Sequence, residues 1–132
     1  MTLCTPPVEI TQALIDDLVR LGGYTHPLFD PAGDAPAPMP GQGVLLLMGG
    51  LVERSGLLDR AIALLELREV RFLRMLRAGT TLHVELAPGP AEPTSSGKVV
   101  QHYDWTAVDA EGGRILRARA LMLMRPPGAP SR

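Results

Sequence analysis

Apolar residues recur with a helical period over roughly the first sixty positions and with a strand period after them. In ITQALIDDLVRLGG, Ile10, Leu14, Leu18 and Leu21 fall at helical spacing and Gly22 and Gly23 supply a stop, which predicts a short amphipathic helix. GVLLLMGGLVERSGLLD, residues 43–59, predicts a second helix, apolar nearly all round, with charge first entering at Glu53 and Arg54. Such a helix has to be buried on most sides. Gly49 and Gly50 in its middle each cost about 1 kcal/mol against alanine, so they are expected where a backbone, a ligand or a tightly packed sheet comes close. Between the helices, residues 22–42 are crowded with proline and glycine, and the aromatic and histidine residues among them point to an ordered loop.

After Asp59 the period shortens to two. AIALLELREVRF, TTLHVELAP, GKVVQHYDWTAVDA and GRILRARALMLM predict four strands. RAGT at 77–80 and DAEGG at 109–113 are turns, APGPAEPTSSG at 87–97 is a flexible loop, and RPPGAPSR at 125–132 is a frayed tail. An antiparallel meander following one apolar helix can cover it by curling round it. The expected fold class is therefore α+β, the hotdog arrangement, as a single domain over residues 1–132 with its core at about 10–124. A sheet wrapped on one helix leaves an edge and an apolar flank, so a second copy or a second hotdog chain is expected to complete burial.

Composition narrows the partners. The chain has 132 residues, 13 basic against 14 acidic, a net charge of −1 and no long run of either sign, which disfavours nucleic acid. A single cysteine, Cys4, excludes an internal disulfide and fits a reducing cytoplasm. The longest apolar run, Val44 through Val52, is about half of the roughly 20 residues that a membrane crossing needs, so no membrane association is expected. GQG at 41–43 is not followed by lysine and serine or threonine, and His, Cys and carboxylates show no metal-ligand spacing. Neither a metal nor another cofactor is expected.

GGYTHPLFDP, PMPGQGVLLLMGGLVERSGLL and EVRFLRMLRAGTTLHVEL together resemble a MaoC-like dehydratase or hydratase of the hotdog superfamily, over about residues 10–124. In that family a turn reading G-D-x-N-P-x-H precedes a helix that opens with glycine. The resemblance implies an acyl thioester substrate on coenzyme A or an acyl-carrier protein. It also implies that backbone N–H groups at the helix start hold the thioester oxygen, the place occupied here by Gly41, Gln42, Gly43 and Val44. Proton removal beside a carbonyl puts negative charge on its oxygen, and a helix N-terminus offers unpaired donors and the positive end of a dipole. The family's aspartate and histidine are replaced. Aligned on Pro27, the aspartate falls on Tyr24 and the histidine on Phe29, a residue then expected to touch substrate; a one-residue slip puts the aspartate on Gly23.

Three arrangements follow. His26 can serve as acid or base, oriented by Tyr24 or Asp30; THPLF and PMPG also resemble the loop of the beta-hydroxyacyl-ACP dehydratases, whose helix carboxylate would match Leu46–Met48, with Glu53 the first acid here. Alternatively, a catalytic partner chain supplies the pair while this chain shapes the acyl tunnel, with its methionines suited to the lining. Or the scaffold hydrolyses thioesters through a water held by Asp30 or Glu53, or binds acyl chains without chemistry. The leading expectation is hydration and dehydration of 3-hydroxyacyl and trans-2-enoyl chains at a site built from His26, Tyr24 and Asp30. Arg71, Arg74 and Arg77, three apart, can meet phosphates of coenzyme A or an acidic carrier helix, or form a solvated edge. His83 and His102 are read as the polar face of the sheet, and Trp105 as core or interface with an N–H that needs a partner.

Overall fold

The computed structural model describes residues 1–30, 32–33, 35–126 and 128. Two short strands, β1 (Leu3–Cys4) and β2 (Val8–Glu9), precede helix α1 (Gln12–Gly22). A 3-10 turn at Pro27–Phe29 and helix α2 (Gly41–Arg54) follow, and then four long strands: β3 (Ala61–Phe72), β4 (Thr81–Pro93), β5 (Val99–Asp109) and β6 (Arg114–Met124). The sheet has the order β1-β4-β5-β6-β3, with β2 also on β4, and every pairing is antiparallel. Among the described residues no helix is long and apolar enough to cross a membrane.

Thr11 caps α1 by accepting from the Leu14 N–H, and Gly23 ends it in the left-handed conformation, φ 71°. The face it buries differs from the expected stripe. Ile15 and Val19 are its buried residues, Leu14 and Leu18 are half-buried, and Leu21 is 73% exposed. Ile10 is fully buried, but from the segment before the helix.

α2 puts Val44, Met48, Leu51 and Val52 into the core, against Leu82, Val84 and Leu86 of β4, Trp105 and Ala107 of β5, and Leu116 and Ala118 of β6. The sequence predicts burial on most sides; within one chain only this face is covered. Gln42, Leu46, Gly50 and Glu53 form an exposed stripe, with Leu46 66% exposed, because one sheet can reach one side of the helix. A Cβ on Gly49 or Gly50 would meet nothing within 4 Å, so no close approach by this chain explains either glycine. The helix also stops at Arg54 rather than running to Asp59.

The segment 87–97 is mostly strand rather than flexible loop. β4 continues through Pro93, paired with β5 from Pro88↔Tyr103 to Pro93↔Val99 across an irregularity between Pro88 and Ala91. β1 and β2 cover β4 only along its first half, so the outer edge beyond Leu86 needs no N–H, and prolines are tolerated there. The Gln101 side chain donates to the Gly89 and Pro90 carbonyls at 2.9 and 3.3 Å, which satisfies the irregular stretch. DAEGG forms the expected turn, with Gly112 at φ 84° and the Asp109 carboxylate accepting from the Glu111 and Gly113 N–H groups. Of the predicted tail, residues 127 and 129–132 lie outside the described residues.

These burials set a stability contrast. Met48→Ala, which empties a fully buried position, should cost about 2–5 kcal/mol, whereas Leu46→Ala in the isolated chain should stay within about 0.5 kcal/mol. Urea denaturation followed by circular dichroism measures both.

Candidate active site

The start of α2 is held by a buried strap, Ala37–Pro40, which the Met39 N–H ties to the Leu76 carbonyl at 2.8 Å. Pro40 occupies the cap position and offers no side-chain acceptor, and the first helical bond runs from Val44 N–H to the Pro40 carbonyl at 3.1 Å. The N–H groups of Gly41, Gln42 and Gly43 are therefore left without an acceptor among the described residues. Three aligned donors at the positive end of a helix dipole suit an oxygen that gains negative charge. Glycine lets the Phe72 ring lie over the first position, since a Cβ on Gly41 would come within 2.7 Å of that ring and displace it. On Gly43 it would come within 3.0 Å of the Met39 sulfur.

This helix start opens on a hollow of about 510 Å³. Leu28, Phe29, Gln42, Phe72 and Arg74 stand around it, and Met39, Met75 and Leu116 supply apolar wall. Its described lining contains no histidine and no carboxylate; Arg74 is its one charged group. Arg74 is fixed by an ion pair with Asp109. The Asp109 carboxyl is held below its ordinary value, first by the hydrogen bond from the Gly113 N–H and then by Arg74 and the Glu111 N–H.

Tyr24, His26 and Asp30 line a second hollow, also about 510 Å³, together with Asp16, Asp17 and Arg20 of α1; Phe29 stands in the walls of both. Tyr24 and Phe29, the positions matched to the family pair, are in ring contact at 5.2 Å with planes 60° apart. The Tyr24 hydroxyl donates 2.8 Å to Gln42 Oε1, so it reaches the side chain of the helix start without lining the first hollow. His26 is exposed, and its Nδ1 accepts from the Leu28 N–H at 3.0 Å, capping the 3-10 turn. A neutral imidazole that accepts through Nδ1 carries its proton on Nε2, so His26 can take up a proton as a base only by giving up that cap. Asp30 Oδ1 accepts from the Ala32 N–H at 2.9 Å in a local turn of its own.

The site residues predicted from sequence thus divide. Gly41, Gln42, Val44 and Phe29 meet at the first hollow, with Gly43 in the same helical turn; Tyr24, His26 and Asp30 gather at the second, with Phe29 between them. Glu53 is in neither: it lines a hollow of about 260 Å³ beside Gly49, Asp59 and Trp105. Of the three arginines, Arg74 reaches the site, Arg77 donates to the Pro36 carbonyl at 3.2 Å, and Arg71 is an exposed residue of β3. Sequence reasoning passed over Phe72, Met39 and Asp109. The one available signal was the polar residue opening the DAEGG turn, which says nothing of its arginine partner. Two expectations about the sheet change as well. His102 is buried, 6% exposed, rather than on a polar face; among the described residues neither ring nitrogen has a hydrogen-bond partner, and Glu92 stands 3.7 Å from Nε2. Trp105 is core, as one of its two readings required, but its N–H finds no partner among the described residues.

The Asp109 anchor gives a pH prediction. A carboxyl whose folded value lies below its ordinary 3.8 adds stability that is fully present above the ordinary value and is lost as pH falls through the lowered one. Urea midpoints of wild type and Asp109→Ala should differ by a constant amount from neutral pH down to about pH 5 and converge in more acidic solution.

No family model matches the chain, and no curated protein matches its sequence. Solved structures do. The MaoC-like dehydratase from Rhodospirillum rubrum superposes with a TM-score of 0.78 at 18% identity, covering 96% of this chain and 92% of that one. A subunit of the (3R)-hydroxyacyl-ACP dehydratase HadBC complex from Mycobacterium tuberculosis gives 0.69 at 15% identity, covering 92% and 95%. A Mycobacterium tuberculosis protein with a double hotdog fold gives 0.73 at 20% identity, covering all of this chain and 44% of that one. The chain has the hotdog fold, in the form seen in MaoC-like dehydratases.

Proposed function

We propose that this chain is the acyl-holding subunit of a two-chain hotdog hydratase or dehydratase, which interconverts 3-hydroxyacyl and trans-2-enoyl thioesters carried on coenzyme A or an acyl-carrier protein. One observation carries the reading: the hollow at the uncapped start of α2, which Gly41 and Gln42 line, is walled mainly by apolar side chains with Arg74, and has no histidine or carboxylate among its described residues. Such a site can fix a thioester oxygen and bury an acyl chain, but it has nothing of its own to move the proton. The acid and base then come from a second hotdog chain. Support for such a partner lies in β3, a twelve-residue edge strand with one neighbour, on which Ile62, Leu64 and Leu65 are exposed. Long apolar edges of this kind pair with another chain or aggregate. The exposed Leu46 stripe of α2 would gain cover in the same assembly. The HadBC complex is itself a pairing of chains of which one resembles this protein.

A second reading keeps the chemistry in this chain. The Tyr24 hydroxyl already bonds to Gln42 and Phe29 lines both hollows, so His26, Tyr24 and Asp30 adjoin the helix start across a single ring.

Two measurements decide. Gln42→Pro removes a helix-start donor at an exposed position in the first turn, where proline is tolerated. It should weaken binding of a non-hydrolysable acyl thioester analogue about tenfold, in the isolated chain and in a complex; unchanged affinity rejects the site. In the second, trans-2-enoyl thioester hydration is assayed for this chain alone, for the chain mixed with a hotdog partner that carries the aspartate–histidine pair, and for both with His26→Ala. Activity only in the mixture, unaltered by His26→Ala, supports the subunit reading. Activity of the chain alone, falling at least roughly 100-fold in His26→Ala, supports the second reading and overturns the first.

A further inference from the structure

We propose that Cys4, His83 and Glu85 form a binding site for one thiophilic divalent cation of the zinc class, which fastens the N-terminal strand to the sheet. The site is independent of the acyl hollow. His83 and Glu85 are two apart on β4, and Cys4, distant in sequence, joins them because β1 pairs with β4, with Cys4 directly opposite Glu85 and Leu3 opposite Leu86. Two further bonds hold that register: the Thr5 N–H donates to the Val84 carbonyl at 2.9 Å, and the Val84 N–H donates to Thr5 Oγ1 at 3.0 Å.

Strand alternation then sorts the side chains. Leu82, Val84 and Leu86 are fully buried in the core, so His83 and Glu85 project together from the opposite face. Leu3 packs toward the core beside Leu86, which turns Cys4 to the same outer face, where it is exposed. One ligand atom from each residue, Cys4 Sγ, an imidazole nitrogen and a carboxylate oxygen, lies within 4.8 Å of the other two. His83 Nε2 and Glu85 Oε2 are already 3.4 Å apart. A tetrahedral zinc ion with sulfur at about 2.3 Å and nitrogen and oxygen at about 2.0–2.2 Å sets its ligand atoms roughly 3.3–3.6 Å from one another. Small rotations of Cys4 close the remaining gap.

Chemistry and charge agree with that ion. Thiolate and imidazole select zinc-like cations over magnesium or calcium, which prefer oxygen alone. Thiolate and carboxylate together neutralise a double positive charge, while histidine coordinates as a neutral group. Three protein ligands leave a fourth position for water. Two of the ligands are preorganised: His83 and Glu85 sit in a strand paired on its other side to Val108 and Thr106 of β5. The third comes from a two-residue strand, so the stabilisation would fall on a short element of the sheet edge.

Titration of metal-free protein with cobalt(II), followed by absorption spectroscopy, tests the site. The expected result is a thiolate-to-cobalt charge-transfer band that saturates at one equivalent per chain and is displaced by zinc(II). Cys4→Ser should abolish the band, and His83→Ala and Glu85→Gln should each weaken zinc binding at least tenfold, since even groups that only support a ligand cost 10–100-fold. Zinc should raise the melting temperature of wild type but not of Cys4→Ser. All three positions lie on the outer face, so the metal-free variants should keep the wild-type circular dichroism spectrum and melting temperature. Absence of the band overturns the proposal. So does a band that persists in His83→Ala and Glu85→Gln with undiminished affinity, which would mark a simple adduct of an exposed thiol.

Discussion

Burial of Val44, Met48, Leu51 and Val52 against the sheet fixes more than the core. It sets the rotation of α2, and the Met39–Leu76 bridge sets the position of its first turn. With those two restraints in place, the three donors at Gly41–Gly43 have one direction in which to point, and the absence of a side-chain cap leaves them available. An oxygen-binding feature made of backbone is insensitive to side-chain identity except where a Cβ would intrude. At Gly41 such a Cβ would press on the Phe72 ring, so the glycine lets that ring lie against the helix start.

The same constraint explains what the chain leaves uncovered. A sheet that reaches one side of α2 abandons Leu46 and Gly50 to solvent, and a sheet that begins and ends within one chain must have edges. The β1–β2 edge is short and partly shielded by proline-containing β4. The β3 edge is long, carries exposed aliphatic residues, and is irregular where its register shifts, including a left-handed Glu69 at φ 53°. Such irregularities twist an edge and limit which partner can add to it. They restrict pairing to a surface shaped for them, which is compatible with one specific hotdog neighbour and unfavourable to open-ended stacking.

Fold class was legible because it depends on period. Two helical stretches followed by four alternating ones allow few packings, and the apolar excess of the second helix says that it must be central. Failures came where a property belongs to the assembly or to pairing rather than to a segment. Burial on most sides follows from the composition of the helix alone, yet the described residues of one chain leave Leu46 exposed. The prolines of 87–97 read as loop because local propensity does not know that β4 lies at an edge there. His102 looked polar by alternation, while its burial depends on how β4 and β6 close over β5. The candidate site divided the same way. The helix-start donors follow from the residues themselves, whereas the separation of His26 from them depends on the Leu28 and Phe29 turn, a tertiary detail. Cys4 beside His83 and Glu85 is the extreme case: alternation puts the latter two on one face of β4, but only strand register brings Cys4 to them.

Phenylalanine at the position that the resemblance aligns with the family's histidine, and tyrosine at the one it aligns with the aspartate, limit in two linked ways what this turn can do. The phenylalanine ring cannot exchange protons, and Phe29 stands in the walls of both hollows, between the start of α2 and the side chains of His26 and Asp30. Tyr24 at the other position of the pair keeps a hydroxyl, but that hydroxyl is spent on Gln42 and its ring on Phe29. The two side chains therefore support each other: an aromatic contact, not an acid–base pair, closes the turn. Under the proposed reading this is the expected form of a subunit whose partner moves the proton, because a second charged pair beside the same thioester would have to be desolvated without contributing to the reaction. An apolar ring at that point would instead exclude water from one wall of the hollow, where hydrogen bonds from the helix-start donors count for more.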